Sequence, residues 1–144
     1  MARLDAQRLN EIFRDAFPDH EVPRVEEVHD GDVVLSLDIS PRHGRPGGTV
    51  SGPTMMTLAD TAAWAAILAE LGEVLLAVTT SLHIDFLRKP SLDADLLAHA
   101  RLLKLGQRLG VVEVELHSRG VGQVVAKAQV TYSLPPGHGG TVER

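Results

Sequence analysis

Between Pro53 and Leu71 the chain reads P-T-M-M-T-L-A-D-T-A-A-W-A-A-I-L-A-E-L, a run in which only Asp60 and Glu70 carry charge. Alanine, leucine and methionine are strong helix formers. Proline is favoured in the first turn, where its missing N–H is not needed, and Gly72 suits a C-terminal cap. The spacing predicts a helix from Pro53 to about Leu71 that is apolar nearly all round, hence buried nearly all round. Its small alanines let other elements approach the backbone closely. A chain of 144 residues is too short for two independent cores. The remaining segments must therefore wrap this one helix.

Those segments have the right character. Leu4, Leu9, Ile12, Phe13, Ala16 and Phe17 lie on one stripe of a predicted helix over 3–17, which Pro18 closes. His29-Asp30-Gly31-Asp32 reads as a turn and 33–39 as a strand. A loop rich in Gly and Pro runs from Pro41 to Pro53 without apolar periodicity. Four strands are expected after the central helix, over 75–87, 95–105, 111–118 and 124–134. Val112, Val114 and Leu116 alternate with Glu113, Glu115 and His117, and Lys127, Gln129 and Thr131 mark the polar face of the last strand. The expectation is a single α+β domain over 1–134, an antiparallel sheet wrapped around one helix, followed by a mobile tail over 135–144. Such a sheet has edge strands to cover, and dimerisation is one way to do so.

Composition narrows the function. Hydrophobic residues are 44% of the chain and charged residues 23%, as in a folded domain. With 14 Lys+Arg against 19 Asp+Glu, the net charge of −5 argues against a nucleic-acid binder. There is no cysteine, which removes disulfide and thiolate chemistry. The seven histidines are dispersed with no H-x-x-x-H pair, so no metal is assigned. Charges in the first twenty residues do not fit a signal peptide, and no apolar run suggests a membrane span. A cytoplasmic protein is expected.

Asp60 is the most informative residue, because a carboxylate in an apolar helix costs free energy unless it is paired, solvated by a cleft or protonated. It is either satisfied structurally or kept as a nucleophile or general base. Upstream, R-P-G-G-T-V-S-G-P opens the helix with glycines whose N–H groups can meet a ligand, as a phosphate cradle, an oxyanion hole or merely a tight loop. It matches neither the P-loop nor G-x-G-x-x-G, and Ser51 lacks a G-x-S-x-G elbow. Gly52 and Asp60 are eight residues apart, about 12 Å along a helix. One reacting carbonyl cannot touch both within a subunit. If both act, they come from two chains, with two sites per dimer. Trp64, one turn after Asp60, either walls a pocket or packs the core, and the same choice holds for Met55 and Met56.

The stretch R-P-G-G-T-V-S-G-P-T-M-M-T-L-A-D-T-A-A-W, then A-V-T-T-S-L-H-I-D-F-L-R-K-P and V-V-A-K-A-Q-V-T-Y, resembles the hotdog-fold acyl-coenzyme A thioesterases of the phenylacetate-pathway type, from about residue 33 to 133. The resemblance implies a hotdog fold in a homodimer or homotetramer with sites at the subunit interface. It implies acyl-coenzyme A as substrate and no separate cofactor. Asp60 matches the catalytic acid, Gly52 the residue whose N–H polarises the thioester carbonyl, and Thr79 a Ser/Thr that helps place water. Arg88 and Lys89 lie where the family meets coenzyme A phosphates, or else form a solvated strand end. Two departures stand out: Ser51 replaces the usual histidine before Gly52, and Arg45 replaces an asparagine that orients thioester or water. Ser51 is then a substitute hydroxyl or a turn residue. Arg45 holds an acyl carboxylate or a phosphate, or is solvated. Two other readings remain: an acyl-coenzyme A binding protein without turnover, and a hydratase or dehydratase, which would place histidine where Ala65 stands.

Overall fold

The computed structural model describes residues 2–137. The predicted tail, with His138, lies from 138 onward outside the described residues.

Helix α1 (Ala6–Ala16) starts later than the stripe suggested, because the Asp5 carboxylate accepts the Arg8 N–H at 2.9 Å and caps it there. It ends at Ala16, since Phe17 precedes a proline and is pushed out of helical geometry. Leu9, Ile12 and Phe13 are its buried face.

Strands β1 (Arg24–His29) and β2 (Asp32–Leu37) form a hairpin whose turn uses Gly31 at φ 72°. β1 was not expected. Its two valines, Val25 and Val28, are three apart and break the alternation of a strand. A bulge between Val25 and Glu27 absorbs the extra residue. The Gly/Pro loop also has structure: a 3-10 turn at Pro41–His43, then a short hairpin of β3 (Gly44–Arg45) and β4 (Thr49–Val50). Gly47 and Gly48 turn it at φ 103° and 78°.

Helix α2 (Gly52–Leu71) is followed by β5 (Val78–Phe86), β6 (Leu96–Leu105), β7 (Leu109–Ser118) and β8 (Ala126–Ser133). Six strands pair antiparallel in the order β1-β2-β6-β7-β8-β5. The sheet curls over α2, the α+β arrangement the sequence predicted. Ala59, Ala62, Ala63 and Ala65 are wholly buried. Close approach is explicit at Gly110 on β7, where an added Cβ would sit 3.1 Å from the Ile67 Cδ1 atom.

One expectation needs correcting. α2 is not buried all round: its first half leaves Pro53, Met56, Thr57, Asp60 and Thr61 wholly or partly open. These recur at three- and four-residue intervals and make one stripe. Glu70, near the other end, is buried.

Candidate active site

The start of α2 is set by the preceding loop. The Ser51 N–H donates to the His43 carbonyl at 2.8 Å, and the Val50 N–H to the Pro90 carbonyl at 3.1 Å. His43 is buried. Its Nδ1 accepts the Ser40 N–H at 2.9 Å, so Nε2 carries the proton that faces Glu21 at 2.6 Å. Burial raises the Glu21 carboxyl pKa, but hydrogen bonds from His43 and Arg42 outweigh it and hold the group below its ordinary value. Ser51 is the N-cap: its Oγ accepts the Thr54 N–H at 3.3 Å and meets the Thr54 hydroxyl at 2.8 Å.

Gly52 is the first helical residue, so its N–H has no carbonyl partner within the helix. It also precedes Pro53, where a Cβ disfavours helical geometry; glycine removes that conflict. A side chain there would begin 3.4 Å from the Phe86 ring of β5.

Two turns along, Asp60 is half-buried on the open stripe. Its Oδ1 accepts the Thr79 hydroxyl of β5 at 2.7 Å and the Tyr132 hydroxyl of β8 at 2.9 Å. Tyr132 Oη lies also 3.1 Å from the Asp60 carbonyl. The Tyr132 side chain is buried, and burial, with the neighbouring Asp60 charge, pushes its phenol pKa well above the ordinary value. It therefore stays a donor. Both hydroxyls meet Oδ1, which leaves Oδ2 outside that grip. Asp60 also lines an open groove of about 280 Å³, with Phe17, Trp64, Leu75, Val78, Thr79 and Tyr132 among others.

The structure thus brings together Asp60, Thr79 and Trp64 of the expected site residues. Gly52 stands apart at the other end of the open stripe, as the spacing required. Arg45 is exposed on the β3–β4 hairpin. The Arg88 Nη1 donates to the Val124 carbonyl at 2.9 Å, and Lys89 beside it is exposed. Met55 is buried and Met56 open. Tyr132 was missed, though its signal was present: it alternates with the polar residues of β8, so its hydroxyl is carried inward. Among the described residues, no three His, Asp or Glu side chains are grouped to hold a metal. No described helix is long and apolar enough to cross a membrane.

A family model described as the thioesterase superfamily matches residues 47–125, from the β3–β4 hairpin through α2 to the start of β8. The chain belongs to the thioesterase superfamily. Its enzyme class is that of the thioester hydrolases, and its fold is the hotdog fold. A Silicibacter protein described as a thioesterase superposes with a TM-score of 0.87 at 42% identity, over 94% of this chain and 95% of that one. A Pseudomonas aeruginosa protein named as an esterase is 33% identical over 103 residues, 72% of this chain and 75% of its own length. Human acyl-coenzyme A thioesterase 13 is 27% identical over 105 residues, 72% and 74% of the two chains.

Proposed function

We propose that this thioesterase-superfamily chain hydrolyses an acyl-coenzyme A thioester to the free acid and coenzyme A, at two sites in a dimer. The observation that carries the reading is the Asp60 carboxylate, held through Oδ1 by Thr79 and Tyr132 on the open stripe of an otherwise buried helix. The name of the human relative supplies the coenzyme A thioester.

The two sheet edges support the dimer. β1 is short, bulged and rich in charge, the features that keep an edge from pairing. β5 has nine residues, and Leu75, Leu76, Val78, Phe86 and Leu87 at its ends are exposed. A second copy pairing antiparallel along β5 covers that edge and sets the two α2 helices side by side in opposite directions. Gly52 of the partner subunit then approaches Asp60.

In the reaction, Asp60 Oδ2 takes a proton from water as the water oxygen bonds to the thioester carbon, or bonds to that carbon itself. The N–H of Gly52 of the partner subunit stabilises the oxyanion. Collapse breaks the C–S bond and coenzyme A leaves as thiolate. On the direct route, water then opens the Asp60 anhydride. A thioester is already an activated acyl donor, so this chemistry needs no group beyond the coenzyme A of the substrate. Arg88, Lys89 and Arg45 are the cations offered to its phosphates. The net charge of −5 disfavours nucleic acid as a partner, and the cysteine-free composition suits the cytoplasm.

The test is thiol release from short, medium, long and aryl acyl-coenzyme A esters by the native protein and Asp60→Asn. Asparagine keeps an Oδ1 acceptor for Thr79 and Tyr132, so the fold is retained. Turnover should fall by about 10²–10⁴-fold in the variant; unchanged hydrolysis refutes the site. A second reading, binding without turnover, draws on Ser51: its hydroxyl is engaged by Thr54 and leaves no general acid or base where the family has histidine. Tight binding without thiol release from any ester supports it.

A further inference from the structure

The groove beside Asp60 takes one of its lining residues, Phe17, from a part of the chain outside the family match. Phe17 is the C-cap of α1, and its N–H donates to the Phe13 carbonyl at 3.0 Å. Phe13 is wholly buried and its ring stacks on Trp64 at 5.7 Å and 14°. Trp64 is thereby fixed. The Phe17 ring meets Trp64 edge-on at 5.8 Å and 64°, and touches His20 in the same manner at 6.4 Å. Phe17 nevertheless remains 41% exposed. The aromatic stack thus ends in a partly exposed ring that packs on Trp64 and lines the groove with Asp60 and Thr79.

A single exposed phenylalanine needs no explanation by itself; this one lines the same groove as Asp60. Phe17, Trp64 and Asp60 line one groove, so an acyl group bound there lies against the Phe17 ring, and a longer one has to pass it.

We propose that Phe17 is the specificity-determining residue that sets the acyl-length limit of this site. The proposal rests on the reading of Asp60 as the reacting carboxylate. Its probe is built in: Trp64, against which Phe17 packs, is the only tryptophan in the chain, so its fluorescence reports occupancy whether or not hydrolysis occurs.

The experiment compares native protein, Phe17→Ala and Phe17→Trp. Binding of non-hydrolysable S-hexyl- and S-hexadecyl-coenzyme A is followed by Trp64 emission in native protein and Phe17→Ala. Hydrolysis of hexanoyl- and palmitoyl-coenzyme A is followed in all three. Native protein should favour the short member of each pair by tenfold or more. Phe17→Ala should shrink that preference at least tenfold, through KM and Kd, and Phe17→Trp should sharpen the hydrolytic preference. A purely structural role for Phe17 would weaken short and long chains alike and leave the ratios within twofold, which overturns the proposal. If no ester is hydrolysed, the thioesterase reading fails, and the thioether binding ratios still decide the role of Phe17.

Discussion

Asp60 Oδ1 is gripped by two hydroxyls from neighbouring strands, and removing them one at a time measures what that grip is worth. Tyr132→Phe keeps the buried ring and deletes the donor at 2.9 Å; Thr79→Ala deletes the donor at 2.7 Å. A hydrogen bond to a charged group is worth about 1.5–3 kcal/mol, and 1.36 kcal/mol is tenfold in rate. Either single change leaves the other donor on the same oxygen, so each should lower kcat near the bottom of that range, about tenfold. KM should change little. The double variant frees the carboxylate to rotate, and its loss should exceed the product of the two single losses. On the same scale Tyr132→Phe should cost about 1.5–3 kcal/mol of stability, or several degrees in Tm for a chain of this size. Burial raises the Tyr132 pKa above its ordinary value of 10.0, so the native pH profile should show no phenol limb below about pH 10. The assay is steady-state thiol release with thermal unfolding of each variant as control. Single variants within twofold of native kcat, while Asp60→Asn is inactive, would refute the claim that the Oδ1 grip positions the reacting oxygen.

Other expectations follow from the surrounding elements. Ser51→Ala removes the α2 cap and should cost about 1 kcal/mol of stability, read as a lower Tm, with kcat per folded molecule within threefold; a selective collapse of kcat would show that Ser51 acts on substrate. Glu21 has its carboxyl pKa lowered in the fold, so its stabilising contribution is present above the ordinary value of 4.5 and is lost as pH falls through the lowered folded value. The stability gap between native protein and Glu21→Gln should therefore be widest above pH 4.5 and close below it; denaturant unfolding across pH 3–7 tests the sign. Val78→Lys puts charge on the open β5 edge, where Val78 is 58% exposed. Sedimentation should show dimer giving way to monomer with loss of turnover, and a fully active monomer would refute a shared site.

How much of this was legible beforehand depends on whether the signal is local. α2 was readable because Pro53 and Gly72 bracket it and because its composition admits no other element. The turn at Gly31 and the alternation of β7 and β8 were readable for the same reason. β1 was not, since a bulge removes the period by which strands are recognised, and bulges are set by the partner strand. The open stripe on α2 was hidden too: burial of a helix face depends on what the sheet covers, and the sheet leaves 53, 56, 57 and 60 uncovered. The Asp60–Thr79 pair spans nineteen residues and came from family resemblance. Tyr132 needed only the inward register of β8, read with the question that singled out Asp60: what does a polar group on an inward face bind?

The two uncovered features of the fold lie together, and that carries the last step. α2 meets β5 at both ends of its open stripe, where Gly52 faces the Phe86 ring and Asp60 takes the Thr79 hydroxyl. The strand whose edge is unguarded is therefore the strand that flanks both expected catalytic positions. Covering that edge with solvent-facing charge, as β1 does, would stabilise a monomer but leave Gly52 and Asp60 about 12 Å apart on one helix, each with half of the chemistry. Leaving it long, with exposed apolar residues at its ends, would make assembly and completion of the proposed site the same event. On that account the exposed Leu76, Val78 and Phe86 of the isolated chain are not a liability tolerated near the site. In the proposed dimer they are the condition for having one.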